Sequence, residues 1–159
     1  MSQQADAEMI KQSVLGQDLS DQDAQLLATI TRHRTLDAGE ILYQEGDQDN
    51  TLYVIVSGKV AVGKDEGGRW VDIATLKAGA VAGEMAFIDG SPHTLTLKAI
   101  KPTEVITIKR DDFESMVENA PVTCYHIMRA IIRNGHKLQK EMNARFLEMS
   151  RFIQNQYTM

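Results

Sequence analysis

Apolar residues recur every three or four positions in two segments near the N-terminus, which is the spacing of an amphipathic helix. The first segment runs from Ala7 to Leu15 and is followed by Gly16, a residue common at helix C-caps. The second runs from Asp21 to about Thr31, with Ser20 as N-cap and Asp23 in the capping-box position. The pattern therefore predicts two short helices at the start of the chain.

From Arg32 onward, short apolar or alternating segments are separated by glycine-bearing turns, a pattern typical of β-strands. Eight segments fit it: Arg32 to Leu36, Glu40 to Gln44, Thr51 to Ser57, Lys59 to Lys64, Arg69 to Leu76, Ala80 to Ala82, Leu95 to Ile100 and Glu104 to Lys109. The turn glycines supply positive φ where a tight reversal needs it. Many short strands with regular turns predict a sandwich or a barrel.

The helical period returns after Lys109. Arg110 to Glu118 is predicted to form a short helix, and Pro121 stands where another can begin. No proline interrupts Val122 to Tyr157, where apolar residues form a stripe: Ile127, Met128, Ile131, Leu138, Met142, Phe146, Met149, Phe152 and Ile153. So long a stripe predicts a dimer seam, or a lid folded onto the strands, and the two are compatible over its first half. Gly135 in mid-helix indicates a close helix crossing or a hinge.

The composition fits one domain with a helical extension. The chain has 159 residues and a mass of 17.7 kDa, and 43% of its residues are hydrophobic, enough for one ordinary core. It contains neither a run of about 18 apolar residues nor a signal-peptide pattern, which predicts a cytoplasmic protein without membrane contact. The single cysteine, Cys124, lies on an apolar helix face and is interpreted as a small buried hydrophobe.

The charge pattern argues against nucleic-acid binding. The formal net charge is −5, although cations collect late in the chain at Arg129, Arg133, His136, Lys137, Lys140 and Arg145. They alternate with apolar residues, so a solvated coiled-coil flank is favoured over a DNA-binding face. The stripe also continues past Leu138 without a helix-turn-helix pattern, and no DNA-binding domain is expected.

A glycine-bearing stretch from Gly79 to Ala99 interrupts the strand pattern. Glu84 follows its second glycine, a short apolar turn runs from Met85 to Ile88, and Asp-Gly-Ser-Pro comes next. This order describes a strand that breaks, makes one helical turn and continues as a strand. The unpaired N–H groups at the start of such a turn form an anion site, which makes a phosphate the natural ligand.

The segment from Gly83 to Pro92 (Gly-Glu-Met-Ala-Phe-Ile-Asp-Gly-Ser-Pro) resembles the phosphate-binding cassette of the cyclic nucleotide-binding domain. That family includes catabolite-activator-type regulators and the regulatory subunits of cyclic AMP-dependent kinase. Its cassette reads Gly-Glu-(Leu/Met)-Ala, a short loop and Pro-Arg-Ala-Ala-Thr; here the end reads Pro-His-Thr-Leu-Thr, with His93 at the arginine position. Further positions resemble the family's β-roll: Gly39-Glu40-Ile41, Gly46, Tyr53 to Val60 and Gly79.

The resemblance covers most of the chain and implies a mainly β fold with flanking helices. The expected core is an eight-stranded antiparallel β-roll, double-stranded and similar to a jelly roll, followed by a long C-terminal α-helix. Residues 1–120 would form the β-roll with its N-terminal helices, and residues 121–159 the lid or dimerisation helix of the same domain.

The resemblance also implies the binding residues. In the family, the residue at Glu84 accepts a hydrogen bond from the ribose 2′-hydroxyl, whereas a purely structural charge at a helix start contributes at most about 1 kcal/mol. The predicted phosphate contacts are Gly83 and the backbone amides of Met85, Ala86, Thr94 and Leu95. Leu138 and Gln139 stand where activator-type members face the purine.

His93 decides the predicted ligand chemistry. Arginine is permanently charged and two-pronged, and a hydrogen bond to a charged group contributes about 1.5–3 kcal/mol, so histidine predicts a phosphate affinity lower by about ten- to a hundredfold. Binding through a histidine should be stronger in mild acid, where the ring is charged. The alternative is that His93 is a solvated loop residue in a pocket that binds no nucleotide.

Two functions of different classes follow. The first is a stand-alone sensor domain that binds cyclic AMP, cyclic GMP or a related phosphate ligand and signals as a homodimer to an unknown downstream protein. The second is a degenerate β-roll that serves as a homodimerising interaction module. No enzyme, metal or resident cofactor is predicted, because the four histidines lack the spacing of a metal cupin. Residues 47–50 lack the glycine and glutamate of a calcium loop and are interpreted as a polar hairpin turn.

Overall fold

The computed structural model describes residues 3–157, apart from the side chains at positions 137 and 138. The chain begins with helix α1 (Gln3–Gln12), a 3₁₀ turn (Gly16–Asp18) and helix α2 (Asp21–Ala28). Helix α2 starts at its predicted position because Ser20 and Asp23 form a capping box: each side chain accepts a hydrogen bond of 3.0 Å from the other residue's amide.

The prediction for α1 is wrong at both ends. The helix begins before Ala7 and ends at Gln12, and Gly16 lies in the 3₁₀ turn rather than at a helix C-cap. The Lys11 carbonyl explains this glycine, since a Cβ added to Gly16 would lie 1.8 Å from that oxygen. Gly16 therefore marks a close backbone approach.

Eight strands follow, and each overlaps a predicted segment. They are β1 (Thr31–Leu36), β2 (Ile41–Tyr43), β3 (Thr51–Ser57), β4 (Lys59–Glu66), β5 (Arg69–Lys77), β6 (Val81–Ala82), β7 (Thr96–Ala99) and β8 (Thr103–Lys109). They pair antiparallel in two four-stranded sheets, with the orders β1-β8-β3-β6 and β2-β7-β4-β5. This confirms the eight-stranded β-roll.

Three more helices complete the fold: α3 (Glu84–Asp89), α4 (Arg110–Glu114) and α5 (Pro121–Tyr157). α4 is shorter than predicted, whereas α5 begins at the predicted proline. Proline lacks an N–H group, but this costs no hydrogen bond in the first turn, where backbone N–H groups have no intrahelical acceptor. Over residues 3–157, no helix combines the length and apolar character needed to cross a membrane.

The sheet that contains β3 is covered on both faces, which creates two hydrophobic cores. Leu52 and Val54 point to the helices and pack with residues such as Ile10, Leu27 and Ile127. The alternate residues of β3 point to the second sheet, in a core that contains Tyr53, Ile55, Val60, Leu97 and Val105. Because successive strand residues face opposite sides, burial of both faces accounts for the continuous apolar run of β3.

The first half of α5 packs against this domain. Cys124, Ile127 and Ile131 are buried in the helical core, which confirms Cys124 as a buried hydrophobe, and burial raises the pKa of its thiol. The Nε atoms of Arg129 and Arg133 lie 3.7 and 3.4 Å from a carboxylate oxygen of Asp18. These two cations are exposed, as expected for a solvated flank, and they also pair with the domain through Asp18.

Asp23 joins α2 to the start of α5. Its carboxylate accepts hydrogen bonds from Thr123 Oγ1 at 2.7 Å and His126 Nδ1 at 2.8 Å, besides the Ser20 amide. Burial alone would raise the pKa of Asp23, but the hydrogen bonds from Ser20, Thr123 and His126 outweigh it and lower the pKa. The ionised form is therefore stabilised by folding.

We expect Asp23→Ala to lower the free energy of unfolding by about 2–4 kcal/mol, because it removes the helix cap and leaves Thr123 and His126 without their acceptor. Asp21→Ala is the control: this side chain is 88% exposed and pairs with Lys11 at 3.5 Å, so its loss should be below about 1 kcal/mol. Urea unfolding measures both. The Asp23 contribution should fade as pH drops below the carboxyl's ordinary pKa of 3.8, and equal losses in the two variants would contradict this role.

Candidate functional site

The predicted broken strand is present between β6 and β7. β6 ends at Ala82, Gly83 turns the chain with φ of 81°, α3 makes its short helix, and Gly90 ends it with φ of 76°. We call residues 83–95 the cassette. The first amides of a helix have no intrahelical acceptor, and the amides of Met85 and Ala86 lie at the start of α3. Their contact with a phosphate stays a prediction.

Gly83 is required by space as well as by φ. A Cβ at this position would lie 2.6 Å from the Thr51 carbonyl oxygen and 3.3 Å from both His93 Cε1 and Tyr53 Cδ2. A side chain here would push the cassette off β3. The absence of a side chain at Gly83 thus allows α3 to lie close against β3.

Glu84 is half-buried at the start of α3. Burial raises the pKa of its carboxyl, opposed by hydrogen bonds from its own amide and from Asn134. The bond from Asn134 Nδ2 of α5 to Glu84 Oε1 is long, at 3.3 Å. The carboxylate is therefore incompletely satisfied and can accept a further donor, such as a ligand hydroxyl.

His93 points into the β-roll, and its side chain is only 4% exposed. Its Nε2 lies 2.7 Å from Asp49 Oδ1, and its ring stacks on Tyr43 with centroids 3.6 Å apart. An ionised carboxylate only accepts hydrogen bonds, so His93 Nε2 is the donor. The interpretation of His93 as a solvated loop residue is wrong, because the aromatic stack and Asp49 give the ring a specific place in the core.

Asp49 holds this buried group together. It also accepts a hydrogen bond from the Tyr53 hydroxyl, and the His93 backbone bonds to both sides of the same turn, with His93 N donating to Asp47 O at 2.9 Å and Gly46 N donating to His93 O at 2.7 Å. The turn is therefore polar, as predicted for residues 47–50, and it also anchors the end of the cassette. It is not the predicted hairpin, because β2 and β3 lie in different sheets.

The two tyrosines stay protonated. Burial raises the pKa of Tyr43, and the negative charges of Glu84 and Asp49 raise it further. Burial also raises the pKa of Tyr53, together with its hydrogen bond to Asp49. The site thus combines two carboxylates and two phenol groups with one histidine, and the carboxylates belong to different hydrogen-bond networks.

The remaining predicted site residues fall into two groups. Met85 is 59% exposed and Ala86 is buried in α3, while Thr94 is exposed and Leu95 packs on the inter-sheet core. The cassette residues therefore lie together on one segment around α3. Gln139 is exposed on α5, and the side chain of Leu138 lies outside the described residues; their contact with a ligand base stays a prediction.

The sequence analysis did not assign Asp49 or Asn134 to the site. Asp49 was interpreted as part of a polar turn, and its link to His93 spans 44 residues of sequence. Asn134 lies about one turn before the predicted α5 positions and reaches Glu84 across 50 residues. Helix α5 also carries other amides, such as Gln139 and Asn143, so nothing in the sequence marked Asn134 as a site residue. Among the residues that the structure describes, no cluster of histidine, cysteine and acidic side chains could hold a metal ion.

Comparison with known proteins identifies relatives of this site and fold. The family model described as "Cyclic nucleotide-binding domain" matches residues 33–120, a span that includes the cassette. The chain is 24% identical over 143 residues to the cyclic AMP receptor protein of Thermus thermophilus, covering 89% of this chain and 66% of that protein. It is 27% identical over 97 residues to lysophospholipase nte1 of Neurospora crassa, covering 60% of this chain but 6% of that enzyme.

The chain thus spans just under two thirds of the first relative and a small part of the second. Among solved structures, a cyclic nucleotide-binding domain from Methylobacillus flagellatus superposes with a TM-score of 0.83 at 25% identity, covering 92% of this chain and 85% of that one. The regulatory domain of Toxoplasma gondii PKA, crystallised with cAMP, shares the fold with a TM-score of 0.64 at 23% identity, covering 74% and 45%.

We expect Glu84→Gln to raise the melting temperature of the ligand-free domain at pH 7 by about 1–4 °C. The raised pKa means that ionised Glu84 destabilises the fold as pH climbs above the ordinary value of 4.5, and glutamine removes that charge. Below this pH the difference should vanish. Thermal unfolding across pH, with the exposed Glu148→Gln as control, tests this, and a lower melting temperature for Glu84→Gln at pH 7 would show that ionised Glu84 is well satisfied.

Proposed function

The chain belongs to the cyclic nucleotide-binding domain family, and from that membership we propose that it is a regulatory sensor whose cassette binds a cyclic nucleotide or a related phosphate ligand. The observation that carries the proposal is the half-buried and incompletely satisfied Glu84 at the start of α3, immediately after Gly83. A ribose hydroxyl supplies the missing donor for this carboxylate, and the first amides of α3 face the phosphate.

His93 limits the affinity of such a site. Its single Nε2 hydrogen is used by Asp49, so the ring has no second donor at that nitrogen for a phosphate. A guanidinium carries five N–H donors and can keep Asp49 while contacting a ligand. We therefore propose that this domain binds cyclic AMP weakly, or binds a ligand whose phosphate relies on backbone amides.

Asn134 connects α5 to the cassette by its hydrogen bond to Glu84. Its amide bonds to Oε1 of Glu84, and a carboxylate can accept several donors. We propose that a ligand hydroxyl takes this same oxygen and displaces the amide, so that ligand and helix compete for it. Loss of the Asn134 bond upon binding would release α5 from the cassette beside Gly135, a residue with open space around it. We propose that a homodimer formed through α5 passes this change to a downstream protein. With a net charge of −5, the domain has no general electrostatic attraction for DNA.

A second candidate function is a β-roll that binds no nucleotide and serves as a homodimerising interaction module. The buried His93–Asp49 pair favours it, because the residue at the arginine position of the cassette is engaged inside the protein. The two proposals differ in one measurable property, which is the binding of nucleotide by the cassette.

Calorimetric titration with cyclic AMP, cyclic GMP and cyclic dinucleotides at pH 5.5 and 8 tests the proposal. We expect His93→Arg to bind cyclic AMP about 10- to 100-fold more tightly than the wild type, because the new side chain has donors left for the phosphate. The wild type should bind more weakly than His93→Arg at both pH values. The exposed His136→Arg on α5 should change binding at neither pH. Absence of binding in both wild type and His93→Arg would favour the interaction module.

Asn134→Ala tests the competition for Glu84. In the His93→Arg background we expect the alanine variant to bind cyclic AMP about 2- to 10-fold more tightly, since the ligand no longer displaces a protein hydrogen bond. Asn143→Ala, an exposed position further along α5, is the matched control. Weaker binding upon Asn134→Ala would mean that Asn134 contacts the ligand instead of competing with it.

A further inference from the structure

The two sheets of the described chain have four edge strands, and three of these have features that hinder pairing with another chain. β6 has only two residues. In β2, the carbonyl oxygens of Ile41 and Leu42 accept hydrogen bonds of 3.2 and 3.0 Å from Arg34. β1 exposes Arg32, His33 and Arg34 along its length. Short edges, occupied carbonyl groups and charged side chains protect sheets from pairing with strands of other proteins.

β5, the fourth edge strand, is less protected. It has nine residues, Arg69–Lys77, more than any other strand in the described part of the chain, and β4 is its only neighbour in the sheet. None of its residues is buried, and two of the exposed ones are large and apolar: Val71 at 45% and Ile73 at 53%. On the side away from β4, this strand presents backbone N–H and C=O groups without a sheet partner.

Unpaired groups along an edge strand are matched by another extended backbone. In β-strand addition the main-chain hydrogen bonds give affinity, and side chains that lie beside those of the edge give specificity. The pairing register shifts between Val62 and Gly63 of β4, which leaves Ile73 without a partner residue on that strand. Ile73 and Val71 are therefore available to apolar side chains of an added strand.

The charges of β5 define the partner further and disfavour a second copy of the chain. Arg69 and Lys77 are exposed at the two ends, while Asp72, near the middle, accepts a hydrogen bond of 2.5 Å from Trp70 Nε1. Two copies of β5 would place Arg69 opposite Lys77 in an antiparallel pair, or each residue opposite itself in a parallel pair. Like charges directly opposite each other destabilise a sheet. Acidic side chains at the ends of an added strand would instead be attracted to both cations.

We propose that β5 is a docking edge for an extended segment of a different protein, which adds a fifth strand to this four-stranded sheet. The segment carries apolar side chains at its centre, beside Val71 and Ile73, and acidic residues near its ends. The docking edge shares no residue with the cassette or with α5. Docking there therefore requires neither nucleotide binding nor dimerisation.

Peptide selection tests the docking edge directly. The full chain is the bait, and the probe is a phage-displayed library of random peptides with nine residues, the length of β5. We expect the enriched peptides to combine valine, isoleucine or threonine at the centre with aspartate or glutamate near both ends. Enrichment of no peptide, or of peptides without this pattern, would overturn the proposal.

Substitutions on β5 show where an enriched peptide binds. In fluorescence anisotropy with the labelled synthetic peptide, Val71→Glu and Ile73→Glu should each weaken binding about 2- to 5-fold, since they remove apolar contact and repel the acidic ends of the peptide. The control is Val117→Glu, which lies after α4 with the same 45% exposure as Val71. Equal losses in the β5 variants and the control would contradict the assigned site.

Backbone pairing is tested with two forms of the same peptide, each N-methylated on alternate residues. Successive N–H groups of a strand point to opposite sides, so only one form keeps the donors that face β5. We expect that form to bind and the other to lose binding, and equal behaviour of the two would refute strand addition. Calorimetry with cyclic AMP separates this proposal from the sensor: a chain that binds nucleotide but selects no peptide would refute only the docking edge. A chain that selects such peptides but binds no nucleotide would refute only the sensor.

Discussion

The binding region depends on one close backbone approach, between Gly83 and the Thr51 carbonyl of β3. This contact is possible only without a side chain, and it sets α3 directly on the sheet. From there Glu84 starts the helix at a half-buried position, and the returning chain brings His93 over the same strand. A bulkier residue at Gly83 would move the carboxylate, the helix amides and the histidine together, so one position controls the whole cassette.

The two carboxylates of the site are satisfied to different degrees. Asp49 accepts hydrogen bonds from His93 and Tyr53 inside the roll, and these donors offset the loss of water. Glu84 has only its own amide and the long bond from Asn134. A buried acid with too few donors weakens the fold until something supplies another. Glu84 is therefore the less well satisfied of the two carboxylates.

The elements that sequence predicts best here are those fixed by local chemistry. The predicted bounds of β3 match the observed ones, because a strand buried on both faces is continuously apolar. The predicted start of α5 at Pro121 also matches, because proline is favoured in the first turn of a helix. The prediction of a helix C-cap at Gly16 was wrong because glycine also occurs where two backbone segments approach closely, as Gly16 and the Lys11 carbonyl do here. The pairing of His93 with Asp49, and of Asn134 with Glu84, depends on how the turn between β2 and β3 and helix α5 contact the cassette. No local pattern encodes such a meeting, so these contacts became visible only in the folded chain.

Helix α5 connects α2 with the cassette. Its first turns hydrogen-bond Asp23 of α2, and Asn134 reaches Glu84 at the start of the cassette helix. At a rise of about 1.5 Å per residue, Asn134 and Gln139 are only about 7–8 Å apart along the axis. Gly135 lies between these two residues and lowers the local helix propensity. The Asp23 end of α5 is held by short hydrogen bonds from Thr123 and His126, whereas the cassette end is held by the single long bond from Asn134, so the contact with the cassette is the weaker of the two.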